Sequence, residues 1–196
     1  MGSATIKLNE DGSFNLLIGA ADLGTGSDTV LAQIAAEALA VPVEKIVVYS
    51  SDTDFTPFDV GAYASSTTYI SGGAVKKAAE SVRGQIIGVA AEILSDKPDN
   101  LHCLDGHVIS KKTKKKISYK NVSLRSLYSR NQFQIQATES HISYVSPPPF
   151  AAHFVKVAVD TETGYVRILK YVMTVDCGVA IHPKLAEGQA EGAVMN

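Results

Sequence analysis

A run of small and hydroxyl-bearing residues, Gly61-Ala62-Tyr63-Ala64-Ser65-Ser66-Thr67-Thr68, leads toward a helix-forming segment at Gly73. Gly61, Ala62 and Ala64 carry little or no side chain, so a ligand can come close to the backbone there. Ser65, Ser66, Thr67 and Thr68 add hydroxyls that donate or accept at short range. A helix starting near Gly73 contributes free N–H groups and the positive end of its dipole. This combination suits a phosphate or another anion. The same pattern also serves an N-cap loop that only starts a helix, and the loop alone leaves both readings open.

Two further glycine-containing loops precede helix-like segments. One is Gly19-Ala20-Ala21-Asp22-Leu23-Gly24-Thr25-Gly26-Ser27-Asp28-Thr29. The other is Asp176-Cys177-Gly178-Val179-Ala180-Ile181-His182-Pro183, continuing through Glu187-Gly188-Gln189-Ala190-Glu191-Gly192. Three such loops suit one extended, polar, phosphate-bearing ligand lying across several helix N-termini, or three unconnected turns. Single residues carry less. Asp52 and Asp54 lack a third ligand for a cation and read as loop caps. His182, before a proline, reads as a cap or a packed residue. Gln33 faces either the loops or solvent, and Tyr63 and Tyr69 either stack on a planar ligand ring or, as is commoner, pack a long loop.

The elements around these loops follow from period and punctuation. Ala4 to Leu8 and Ser13 to Ile18 are strands joined by Asn9-Glu10-Asp11-Gly12, a hairpin signal. Thr29 to Leu39 has a helical apolar stripe, with Ser27 or Asp28 as the expected N-cap and Pro42 as the stop. Ile46 to Tyr49 is predicted as a buried strand from its β-branched content. Residues 50–72 form a long connection, for which Phe55, Phe58, Tyr63 and Tyr69 imply order. A helix is predicted from Gly73 to Leu94, in which Gly84 and Gly88 either allow close backbone packing or simply cost some helix propensity. Pro98 to Tyr119 reads as a small meander with Lys111 to Lys116 as a solvated tip. A short helix over Ser123 to Ser129 and a strand over Gln132 to Ser140 follow. Ser146-Pro147-Pro148-Pro149 imposes an extended stretch. A hairpin of Ala152 to Val159 and Tyr165 to Thr174 then precedes a last helix from Pro183. The order predicts an α+β protein, a mixed β-sheet with helices packed on one face.

Composition bounds the rest. The chain has 196 residues, enough for one domain or two small lobes. A formal charge of −2 argues against a general nucleic-acid binder. No apolar run reaches the roughly 18 residues of a membrane-spanning helix. No signal peptide is visible, and Cys103 and Cys177 read as reduced thiols of a cytoplasmic protein. The chain opens directly in a strand and stops at Asn196 inside a helix, which predicts a piece of a longer polypeptide. Residues 1–140 are expected as its main α/β lobe, and 141–196 as a hairpin and the start of a helix returning to it.

With these loops in view, the chain resembles the large, cofactor-binding subunit of the molybdenum hydroxylases, the xanthine dehydrogenase and aldehyde oxidase family. Gly24-Thr25-Gly26 is similar to that family's Gly-Gln-Gly segment beside the dithiolene end of the cofactor. Ala64-Ser65-Ser66-Thr67, with Thr68 after it, resembles the Ala-Ser-x-Ser/Thr loop around the pterin and its phosphate. Gly188-Gln189-x-Glu191-Gly192 resembles the Gly-Gln-x-x-Gly helix start, whose glutamine contacts the pterin. The proline stretch, its hairpin and Asp176-Cys177-Gly178 match in order and spacing.

The resemblance implies molybdopterin, or its cytosine dinucleotide form, carrying molybdenum on a dithiolene instead of on protein side chains. It implies hydroxylation of N-heterocycles or aldehydes with oxygen from water, and electrons passed to iron–sulfur clusters and FAD on other domains or subunits. Thr25 stands where many members have glutamine. The family's glutamate base, in a Gly-Val-Gly-Glu stretch, lies downstream of the last motif, and Glu187 and Glu191 belong to a different one. The missing half of the molybdopterin domain carries substrate contacts. The chain by itself is therefore expected to hold no catalytic residue and to be inactive.

Overall fold

The Asp11-Gly12 turn folds the first two strands back on each other, with Ser13 donating its backbone N–H to Asp11 Oδ1 at 2.9 Å. The computed structural model describes residues 1–145 and 147–195; Ser146, at the head of the predicted extended proline stretch, and Asn196 lie outside the described residues. The chain divides into two units, residues 1–143 and 144–196. The first runs β1 (Gly2–Leu8), β2 (Phe14–Ile18), α1 (Ser27–Leu39), β3 (Ile46–Ser50) and α2 (Gly72–Leu94). It continues through β4 (Leu101–Leu104), β5 (His107–Ser110), β6 (Lys116–Ser118), α3 (Tyr119–Tyr128) and β7 (Gln136–His141).

A mixed four-stranded sheet has the order β3-β2-β1-β7. β1 is antiparallel to β2 and β7, while β2 and β3 are parallel. Period-two alternation turns Ala4, Ile6, Leu8, Phe14, Leu16 and Ile18 into one face, all fully buried. Leu31, Ala35 and Leu39 of α1 and Ala74, Val75, Ala78, Val82 and Ile86 of α2 join the same core. This is the expected α+β sheet with helices on one face. Cutting Leu16 to alanine would cost about 2–5 kcal/mol of stability. β4, β5 and β6 form the predicted meander as a separate three-stranded sheet, and its Lys111 to Lys116 connection is exposed.

Several local expectations are corrected. β3 is an edge strand in which Ile46 is buried but Val47 is 56% exposed. Its β-branched content reports fit to a pleated surface, and the edge position decides burial. α1 ends at Leu39 as predicted, but Pro42 is not what stops it: Ala40 adopts φ 54°, and Val41 donates to Ala36 O at 3.0 Å, closing the helix before the proline arrives. α3 starts four residues earlier than the predicted Ser123, at Tyr119, because Ser118 Oγ accepts the Asn121 N–H at 3.3 Å. Gly84 and Gly88 face open space, with nothing packed against them among the described residues.

The second unit contains β8 (Phe150–Val159) and β9 (Val166–Asp176), paired antiparallel, then α4 (Pro183–Met195). A register shift at Lys156/Val157 sets Val157 opposite Ile168 and Val159 opposite Val166. The Asp160–Gly164 turn is closed by Gly164 N–H donating to Asp160 O at 2.8 Å.

Candidate cofactor-binding site

Because β2 and β3 run parallel, the two loops that follow them leave the sheet at the same edge, where Ile18 pairs with Ser50. In open α/β sheets the carboxyl ends of parallel strands are where ligands sit. Cross-links hold the two loop roots together. Ser51 donates its N–H to Ile18 O at 3.2 Å and its hydroxyl to Ala20 O at 3.1 Å. Ser50 Oγ donates to Asp28 Oδ2 at 3.0 Å. The start of α2 also lies against α1, since a Cβ on Gly72 would stand 2.8 Å from Ile34 Cδ1.

The first loop is organised by Asp22. Its Oδ1 accepts the N–H groups of Gly24 at 2.9 Å and Gly26 at 3.1 Å, and its Oδ2 accepts that of Asp28 at 3.4 Å. Desolvation opposes ionisation of Asp22, but the backbone N–H groups of Gly26, Gly24, Asp28 and Thr25 outweigh it and hold the carboxyl below its usual range. Gly26 is the N-cap, with φ 74° that suits a residue lacking Cβ. The expected Ser27 or Asp28 cap is therefore corrected: Asp22 does the capping from four to six residues upstream. The N–H groups of Gly24, Gly26 and Asp28 thus hold an internal carboxylate. Thr25 is exposed at the tip. Just below, Ser27 Oγ, Asp28 Oδ1 and Gln33 Oε1 are buried and unpartnered among the described residues.

The second loop departs further from expectation. The helical stretch begins not at Gly73 but at Thr67, as a π-helical turn over Thr67–Ser71 that runs directly into α2. The N–H groups lacking a preceding helical carbonyl thus belong to Thr67, Thr68 and Tyr69. Upstream, Gly61 has φ 110°, and Ala64 and Ser65 stand consecutively in the left-handed region at 52° and 55°. Each such alanine or serine costs about 1–2 kcal/mol. The bend is closed by Ser66 N–H to Tyr63 O at 3.1 Å and Ile70 N–H to Ser66 O at 2.7 Å. Ser65 and Thr68 are exposed, while Ser66 and Thr67 are half-buried. Phe55, Phe58, Tyr63 and Tyr69 do not pack the loop, being 69%, 62%, 62% and 45% exposed. Carboxylates order it in their place. Asp52 accepts the Tyr49 hydroxyl at 2.7 Å and the Asp54 N–H at 2.9 Å, a cap and not one half of a carboxylate pair. Asp59 accepts Gly61 N–H and Ser71 Oγ.

In the second unit Gly178 donates its N–H to Asp176 Oδ1 at 2.9 Å, and His182 Nδ1 caps the last helix by accepting Leu185 N–H at 3.2 Å. Gln189 is exposed, and Gly188 to Gly192 lie in the body of α4, which opens at Pro183 as predicted. Cys177 is exposed; burial raises the Cys103 thiol above its usual pKa.

The model of the molybdopterin cofactor-binding domain family matches residues 1–196. The chain belongs to that family. This cofactor-binding domain is 38% identical over 190 residues to the probable hypoxanthine oxidase XdhD of Escherichia coli K12, covering 97% of this chain and 20% of that protein. It is 34% identical over 198 residues to the xanthine dehydrogenase molybdenum-binding subunit of Escherichia coli O157:H7, covering 99% and 26%. Its fold superimposes on reconstituted CO dehydrogenase from Oligotropha carboxidovorans with a TM-score of 0.90 at 27% identity, over 98% of this chain and 24% of that one. The domain thus spans about a fifth to a quarter of the length of these relatives.

Among the described residues, the domain gathers no three His, Cys, Asp or Glu side chains as metal ligands, and no helix is long and apolar enough to cross a membrane. Sequence reasoning placed the two loops but missed Asp22, Asp59 and Ser71, which shape them. The Asp22-x-Gly24-x-Gly26 spacing was the available signal for the first, since an Asp two residues before a glycine forms such turns. Ser71 offered none.

Proposed function

We propose that this chain forms part of the molybdopterin site of a molybdenum hydroxylase, using the loop edge above β2 and β3. What carries the reading is the second loop, where the N–H groups of Thr67, Thr68 and Tyr69 stand beside the hydroxyls of Ser65, Ser66, Thr67 and Thr68. That is a donor set for a phosphorylated ligand. The unpartnered Ser27 Oγ supports a polar group arriving over the first loop, since buried hydroxyls in native proteins are nearly always paired.

In this reading Ala64 to Thr68 hold the pterin and its phosphate. Gly24, Thr25 and Gly26 lie beside the metal end, where the short Thr25 hydroxyl replaces a longer amide. Gln189 contacts the pterin from α4, and residues 1–196 act as one piece of a single cofactor domain. When bound, the cofactor supplies molybdenum that takes up the electrons of a hydroxylation whose oxygen comes from water. This chain's own residues bind and orient; the base and most substrate contacts belong to the remaining length of the polypeptide. The isolated chain is then inactive. The substrates are N-heterocycles or aldehydes, the electron acceptors are iron–sulfur and FAD domains or subunits, and the enzyme works in the cytoplasm.

The test is the full-length polypeptide produced with its partner subunits in cells that make the cofactor. Stoichiometric molybdenum by elemental analysis is expected. Released CMP identifies the dinucleotide form, and its absence identifies plain molybdopterin. Neither molybdenum nor pterin would overturn the reading in favour of a non-catalytic anion-binding module.

A further inference from the structure

We propose that Asp59 is the positioning residue of the second loop, holding Gly61 to Ser66 in the shape that receives the ligand. Its functional half rests on the cofactor reading above; its structural half rests on geometry alone. Residues 57–59 are fixed to the rigid sheet. Ser3 donates its N–H to Phe58 O at 3.0 Å, and Gly2 forms an antiparallel bridge with Asp59. Two glycines make room for this contact. A Cβ on Gly19 would overlap Pro57 O, and one on Gly2 would lie 3.0 Å from Asp59 Oδ2.

From that fixed point one carboxylate reaches both ends of the loop. Asp59 Oδ1 accepts Gly61 N–H at 2.9 Å, at the loop's entry. Asp59 Oδ2 accepts Ser71 Oγ at 2.6 Å, across 12 positions, at the last residue of the π-helical turn. Ser71 is 2% exposed, so the serine end of this bond is shielded from water while Asp59 is half-buried. Between the two anchors sit Ala64 and Ser65 in the left-handed region. Such backbone persists only where its surroundings over-determine it. The loop's internal bonds, Tyr63 N–H to Gly61 O, Ser66 Oγ to Gly61 O and Ser66 N–H to Tyr63 O, refer back to Gly61 directly or through Tyr63. Gly61 in turn is held by Asp59. A carboxylate fits because both partners are donors and charge strengthens each bond. Asparagine would keep the geometry by accepting Gly61 N–H through Oδ1 and donating to Ser71 Oγ through Nδ2.

The experiment uses the full-length protein with its partner subunits, made in cells with and without cofactor synthesis, as wild type, D59A, D59N and S71A. The first measurement is hydrogen–deuterium exchange of the cofactor-free form. D59A is expected to speed exchange across residues 61–71 about tenfold, with β1 and β2 unchanged, and S71A, which removes one anchor, about threefold. D59N is expected within about twofold of wild type. Unchanged exchange in D59A, or equal loss in D59A and D59N, overturns the clamp. If D59A unfolds globally, S71A and D59N decide by the same criteria. The second measurement is molybdenum and pterin per polypeptide in the cofactor-loaded form. D59A is expected to retain about tenfold less than wild type and D59N to recover most of it. Full occupancy in D59A despite a loosened loop overturns the positioning role. Absence of molybdenum and pterin from wild type itself removes the cofactor reading, while exchange still decides the clamp.

Discussion

The imidazole of His141, at the end of β7, closes over the backbone of Gly73 in the first turn of α2. A Cβ on residue 73 would stand 2.8 Å from His141 Cγ, inside any real contact distance. Gly73 is therefore glycine for packing, not for dihedral freedom. Gly73→Ala is expected to cost about 1–3 kcal/mol through overpacking. The double variant Gly73→Ala/His141→Ala is expected to recover part of that loss, because the clash and its partner disappear together. Urea unfolding of the two single variants and the double variant measures the coupling.

Asp22 gives a pH-dependent prediction. Its folded pKa lies below the ordinary value, so the carboxylate contributes stability above its unfolded pKa, and that contribution falls away as pH drops through the folded pKa. Asp22→Ala is expected to lower stability by about 1 kcal/mol at neutral pH, as for a lost N-cap. Below about pH 4 the difference from wild type should shrink. Thermal unfolding of both proteins between acid and neutral pH checks it.

Tyr119 donates its hydroxyl to Leu39 O at 2.7 Å and meets Phe14 edge-on at 5.9 Å between ring centroids. Tyr119→Phe keeps the ring contact but leaves a carbonyl at the end of α1 unpaired in the core. The expected cost is about 1–3 kcal/mol, read by denaturant midpoint at unchanged slope.

Cys103 is held mostly protonated near neutral pH, because burial raises its pKa. Its alkylation at pH 8 is expected to be slow in the folded protein and to accelerate on denaturation, while exposed Cys177 reacts at once. Mass spectrometry of iodoacetamide-labelled peptides separates the two sites.

Thr68 is exposed in the first helical turn after the second loop, where backbone N–H groups have no preceding helical carbonyl. Thr68→Ala is expected to change folding stability by less than about 0.5 kcal/mol. In the full-length protein it should nevertheless lower cofactor retention, measured as molybdenum per polypeptide after gel filtration. Wild-type retention would remove Thr68 from the binding set.

The chain itself determined the elements whose signal is local. Alternation in β1 and β2, the Asp11-Gly12 and Asp160–Gly164 turns, the stripe of α2 and Pro183 at the start of α4 each depend on neighbours a few residues away. The positions of the hydroxyl and glycine loops were legible for the same reason, and their motifs carried the family. Tertiary structure decided what depends on distant partners. β3 has buried-strand composition but lies at an edge, because its place in the sheet order sets its burial. The aromatic residues between 55 and 69 look like core yet face solvent, since the sheet and helices already fill the interior. Above all, Asp59 and Ser71 lie 12 positions apart with no periodic relation, and they meet because β1 fixes the chain at residues 58 and 59. Hydrophobic pattern is a property of a segment, whereas a hydrogen bond across a loop requires the fold that brings its two ends together.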